Sequence, residues 1–112
     1  MATSSPLLYA AAAPSRSDLD ATPGALLLQF GVDWCGHCQA AEPAIALALQ
    51  SCPGLAHLRI EDGPGRALGR SFKVKLWPTL VLMHQGQELA RLVRPTQVAQ
   101  VQDFLRQLPP GA

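Results

Sequence analysis

Residues Ala25 to Val32 form a nearly unbroken apolar run, with Leu26-Leu27-Leu28-Gln29-Phe30 at its centre. A short segment this uniformly apolar fits a central strand covered on both faces, not a sheet with one wet face. Pro23-Gly24 breaks the chain just before it. A few residues later, Gln39 to Ser51 is rich in Ala and Leu, with Ile45 and Leu49 four apart. That spacing predicts a helix, starting near Cys35. A covered strand feeding straight into a helix is the building unit of a layered α/β molecule.

The rest of the chain continues the alternation. Residues 1–5 are expected to be loose, and Leu7 to Ala12 predicts a short strand. Pro14 to Asp20 carries Ser15, Ser17 and Asp18, residues suited to a short helix or turn. Pro43 lies inside the long helix, where it removes a donor and predicts a kink. Cys52-Pro53-Gly54 ends that helix. Leu55 to Ile60 reads as a strand, Gly63-Pro64-Gly65 as a turn and Arg66 to Phe72 as a short helix. Lys73 to Trp77 is a loop leading to Pro78. Thr79 to Met83 is an apolar strand, Gln85-Gly86 a turn, and Glu88 to Val93 its hairpin partner. Pro95 to Leu108 closes as a helix with Val98, Val101, Phe104, Leu105 and Leu108 on one face. Strand–helix alternation implies a parallel core, to which the last hairpin adds an antiparallel edge. The expected fold is α/β, with one mixed sheet flanked by helices. With no repeat and no linker, the expectation is one domain over residues 1–112, long enough to bury a core without staples.

Composition removes several function classes. The chain is 48% hydrophobic and 15% charged, which disfavours a disordered segment. Its net charge of +1 lacks the basic excess of a nucleic-acid binder. Arg66, Arg70, Lys73 and Lys75 do gather, either as a solvated surface or as a patch selecting an acidic partner. No apolar run approaches the ~20 residues that span a membrane. No Lys or Arg precedes Leu7 to Ala13, and Pro6 interrupts the approach, so a signal peptide is not favoured. The expected setting is the cytoplasm, with export through a cleavage site at Ala11-Ala12-Ala13 as the alternative. An Ala- and Arg-rich, Lys-poor composition points to a high-GC bacterial source.

There are three cysteines, an odd number that does not suit a secreted disulfide framework. Two stand in Cys35-Gly36-His37-Cys38, at a helix start. One turn of helix brings such a pair within disulfide reach. The helix N-terminus favours a thiolate through its partial positive charge and unpaired N–H groups. Cys35, at the exposed mouth, is then the attacking thiol, and Cys38, shielded one turn in, the resolving one. An imidazolium at His37 would stabilise the thiolate and make the disulfide more oxidising. Zinc also uses a C-x-x-C, but it needs two further ligands, and Cys52, His57 and His84 have no ligand spacing. Cys52 reads as a structural thiol at the helix end, or as a regulatory one.

Phe30 to Pro43 reads F-G-V-D-W-C-G-H-C-Q-A-A-E-P, and this resembles the active-site block of the thioredoxin family. Trp77-Pro78-Thr79-Leu80 resembles the family's cis-proline segment, and Pro78 stands 43 positions after Cys35. The resemblance spans roughly residues 7–108. It implies a five-stranded mixed sheet with about four helices, and reversible dithiol–disulfide exchange with protein substrates. It implies a cis bond at Pro78, against the ordinary trans preference. It also implies substrate contacts at Trp34, Trp77, Pro78 and Thr79, since backbone beside a cis-proline can pair with an extended chain. The implied partners are protein disulfides or thiols and an upstream reductase or oxidase. The expected protein is a monomer with no metal and no cofactor beyond the dithiol.

The departures narrow this. Gly36-His37 is the pair of disulfide isomerase domains, where most thioredoxins have Gly-Pro. Potentials of about −180 mV for the isomerase and about −270 mV for thioredoxin imply a less reducing site. The family's buried acid falls on Gln29, and its partner lysine on His57. Either His57 takes over proton transfer, or it is a histidine on a partly exposed strand. Trp77 replaces a smaller residue before the proline, and Arg94 replaces a glycine beside the groove. Gln29, Trp77 and Arg94 leave an alternative open: a non-enzymatic binding or chaperone module for one dedicated partner.

Overall fold

The apolar run becomes strand β1 (Ala25–Gly31), and every residue after Ala25 is buried. The computed structural model describes residues 8–111. The expectations for residues 1–5 and for Leu7 lie outside the described residues. β1 lies between β2 (Ala56–Glu61) and β3 (Thr79–His84), with β4 (Gln87–Val93) beyond β3. Alternation sends the side chains of β1 to two separate cores. Leu26, Leu28 and Phe30 join Val81 and Met83 on one face. That face is covered by Leu19 of helix α1 (Arg16–Asp20) and Leu68 of α3 (Ala67–Ser71). Leu27 joins Leu80 and Leu82 on the other, against α2 (Gly36–Leu49) and α4 (Val98–Leu105). Each large apolar side chain so buried stabilises the fold by about 1.5–3 kcal/mol before entropy is counted. Gln29 keeps step with Leu27, so alternation delivers it, fully buried, to the α2 face.

Local chemistry sets the ends of the elements. Ser15 caps α1: its hydroxyl accepts from Asp18 N, and the Asp18 carboxylate accepts from Ser15 N. Gln85 and Gly86 both have positive φ, 53° and 78°, as a tight two-residue hairpin requires. A Cβ on Gly86 would fall 2.0 Å from the Asp20 carbonyl oxygen, so the turn is packed as well as bent. Pro43 lies within α2, which continues to Leu49.

Two expectations need correction. Of the strand expected at Leu7 to Ala12, the described residues keep one parallel bridge, Ala10 with Ile60, so among the described residues the sheet has four strands, not five. The alanines and Pro14 that follow Ala10 have low strand propensity and do not extend the pairing. The core is also less parallel than expected. β1 and β2 are parallel, but β3 runs antiparallel to β1, as β4 does to β3. The five residues of α3 and the loop to Pro78 carry the chain back to where β1 ends, so Thr79 pairs with Phe30. Alternation of strands and helices does not distinguish such a return from a full crossover.

Candidate active site

Cys35 is the N-cap of α2, with extended backbone (φ −82°, ψ 119°). Its Sγ accepts from the Cys38 N–H at 3.2 Å. One of the orphan donors of the helix start is thus spent on the sulfur. Both cysteines are free thiols. Cys35 is less open than the expected mouth position: it is 7% exposed, against 2% for Cys38. The cover comes from Tyr9, Val32 and Trp77, which pack with the two cysteines as one cluster.

The aromatic residues frame the dithiol differently. Trp34 is exposed and meets Trp77 edge to face, with ring centroids 5.9 Å apart. Trp77 Nε1 donates to Asp62 Oδ2 at 2.8 Å, which fixes its ring. The Trp77–Pro78 peptide bond is cis. Pro78 and Thr79 are fully buried, and the Thr79 hydroxyl donates to the Leu76 carbonyl at 2.6 Å. Gly36 and His37 are exposed at the helix start. Arg94 keeps a left-handed backbone, φ 51°, and its Nε donates to the Trp77 carbonyl at 2.7 Å. Cys52 is half-buried beside the α2–α4 core, away from the dithiol. Among the described residues, no three His, Cys, Asp or Glu side chains gather to hold a metal ion.

Beneath Cys38 lies a polar network. Gln29 Nε2 donates to Tyr9 Oη and to Glu42 Oε2, each at 2.8 Å. Gln29 Oε1 faces His57 Nε2 at 2.8 Å. Arg59 grips both Glu42 oxygens, with Nη2 to Oε1 at 2.7 Å. Among the described residues, no buried side-chain polar atom is left without a partner. Burial, aided by the neighbouring Cys35 sulfur, pushes the Cys38 thiol up to about 11, while the Val32 backbone and the Tyr9 hydroxyl pull the other way. Burial also holds His57 down to about 4, helped by the Arg59 charge and opposed by Glu42. Burial raises the Tyr9 phenol well above its ordinary value.

Sequence reasoning brought Gln29 and His57 forward but missed Tyr9, Glu42 and Arg59. A signal existed for two of them. Glu42 follows Cys38 by four residues, so both lie on one helix face. Arg59 follows His57 by two, so both lie on one strand face. Nothing local marks Tyr9.

A mixed sheet, four-stranded among the described residues, with a dithiol at the start of its long helix beside a cis-proline, defines a thioredoxin-like fold. The family model for thioredoxin matches residues 11–107, and the chain belongs to the thioredoxin family. Thioredoxin C-3 of Corynebacterium nephridii is 30% identical over 93 residues, which is 83% of this chain and 61% of that protein. The H-type thioredoxin of Fagopyrum esculentum is 25% identical over 68 residues, 61% of this chain and 59% of that protein. The chain thus spans about three fifths of the length of these curated relatives. The reduced form of thioredoxin 2 from Pseudomonas aeruginosa superposes with a TM-score of 0.81 at 50% identity, covering 88% of this chain and 92% of that one.

Proposed function

We propose that this chain is a thiol–disulfide oxidoreductase, which exchanges the Cys35–Cys38 dithiol with protein disulfides through a mixed disulfide. The observation that carries this reading is the Cys38 N–H bonded to Cys35 Sγ at the α2 N-cap, with both thiols free. Cys35 attacks and joins the substrate sulfur; Cys38 then attacks Cys35 and releases the substrate as a thiol. The edge-to-face pair of Trp34 and Trp77 supports a substrate surface next to Cys35, backed by Pro78 and Thr79. Arg70 and Lys75 line the same shallow cleft as Trp77, which supports a preference for acidic segments near the reacting disulfide.

Gly36 and His37 tune the couple toward a less reducing potential than that of ordinary thioredoxin. The equilibrium of Cys35 and Cys38 against glutathione measures this directly. The partners are protein disulfides or thiols and a reductase or oxidase that resets the dithiol. No helix among the described residues is long and apolar enough to cross a membrane. The odd cysteine count, unsuited to a secreted disulfide framework, supports work in the cytoplasm.

Insulin reduction with dithiothreitol tests the activity. Turnover is expected in the unaltered protein and none in Cys35→Ser. Cys38→Ser is expected to accumulate mixed disulfides. If neither turnover nor trapped partners appear, a binding module without exchange chemistry replaces this reading.

A further inference from the structure

The hydrogen bonds under Cys38 have a fixed direction, and Glu42 sets it. A carboxylate held by an arginine accepts only, so the Gln29 atom facing Glu42 must be the amide nitrogen. The amide oxygen then faces His57, whose Nε2 must carry a hydrogen. The second Gln29 N–H is spent on Tyr9 Oη, which makes the phenol oxygen an acceptor on that side. The phenol proton is left free of Gln29, in a packed cluster that holds Cys38. Both Tyr9 Oη and Cys38 Sγ crowd the same face of Gly31, at 2.8 and 2.6 Å from where a Cβ would stand. Tyr9 and Cys38 also share one packed cluster.

We propose that Tyr9 is a catalytic residue: its hydroxyl donates to the Cys38 sulfur and stabilises the thiolate that resolves the mixed disulfide, in a direction set by Glu42 through Gln29. This role rests on the exchange activity proposed above. In that step the Cys38 thiolate attacks Cys35 Sγ. The Cys35–Cys38 bond forms, the Cys35–substrate bond breaks, and the electron pair leaves on the substrate sulfur. The dithiol is oxidised and the substrate disulfide reduced. The Cys38 proton passes to solvent through a cleft of about 290 Å³ lined by Tyr9, Cys38 and Glu42, and the departing thiolate takes up another. Tyr9 keeps its own proton throughout. The ionisable groups around this pair are Cys35 at the N-cap of α2, Glu42 on α2 and Asp33, which accepts from Tyr9 N at 2.7 Å; His57 and Arg59 on β2 reach it only through Gln29 and Glu42. β1 contributes only the neutral Gln29.

Tyr9 is the only tyrosine, so labelled tyrosine reports on it alone. In Tyr9→Phe the thiolate loses one charge-assisted hydrogen bond. Its titration, followed by cysteine Cβ chemical shift, is expected to move upward, and the resolving step at neutral pH to slow about ten- to hundredfold. Fluorotyrosine, a more acidic phenol, is expected to move it the other way, with its fluorine resonance shifting as Cys38 ionises. Glu42→Gln frees the Gln29 amide to turn; because it also removes a negative charge, its positioning role is read as a smaller Tyr9→Phe shift in the Glu42→Gln background than in the unaltered protein. An unmoved Cys38 titration in Tyr9→Phe, or a fluorine resonance flat through that titration, overturns the role. If Tyr9→Phe fails to fold, the fluorotyrosyl protein decides alone. Absence of insulin turnover in the unaltered protein instead overturns the exchange function, and the catalytic role with it.

Discussion

Gly31 has no left-handed backbone to justify a glycine; space alone requires one. An added methyl group would press on Cys38 Sγ and on the Tyr9 ring at once, since neither lies as much as 3 Å away. Gly31→Ala is therefore expected to lower stability by about 1–3 kcal/mol, as overpacking does, measured by urea unfolding. Arg94 is the opposite case. Its φ of 51° suits a glycine, and a side chain there costs about 1–2 kcal/mol. The bond from Nε to the Trp77 carbonyl offsets part of that cost. Arg94→Gly is expected to leave stability nearly unchanged. It frees the Trp77 carbonyl for an extended substrate, so KM for insulin should fall with kcat little changed.

Among the elements, α2 and β2 are joined by more than apolar packing. The Glu42–Arg59 pair spans them with side chains only 8% and 15% exposed. Removing one partner strands a buried charge, so Arg59→Ala should cost about 3–5 kcal/mol, whereas Glu42→Leu with Arg59→Met should cost far less. Urea unfolding of the two variants makes the comparison. The helices and strands themselves were largely legible, because each rests on local periodicity and on punctuation such as Pro23-Gly24 and Gln85-Gly86. The direction of β3 was not, since it depends on how a short α3 and its loop pack. The first strand was overread because Leu7 to Ala12 is apolar, while pairing at Ala10 does not extend into the alanines that follow.

For the molecule as a whole, the dithiol was legible because four consecutive residues carry it. The network under it was not, because Tyr9, Gln29, Glu42, His57 and Arg59 come from four separate segments that only folding unites. One consequence is global. His57 titrates near 4 in the fold and near 6.5 when unfolded, so between those values the unfolded chain binds more protons. Stability is expected to be full above about pH 6.5 and to decline as pH falls toward 4. His57→Gln keeps a donor for Gln29 and should flatten that part of the decline, read as the urea midpoint against pH. The bridge at Ala10 carries a further consequence. Two main-chain hydrogen bonds, Ala10 N to the Arg59 carbonyl and Glu61 N to the Ala10 carbonyl, and the Asp33 contact hold the Tyr9 segment to the sheet. Such a tether opens locally at far lower free energy than the central strands do. The Ala10 amide should exchange with solvent deuterium well before those of β1, and each opening withdraws the phenol from Cys38 while the sheet stays folded. The reactivity of the resolving sulfur is thereby tied to the breathing of a single bridge.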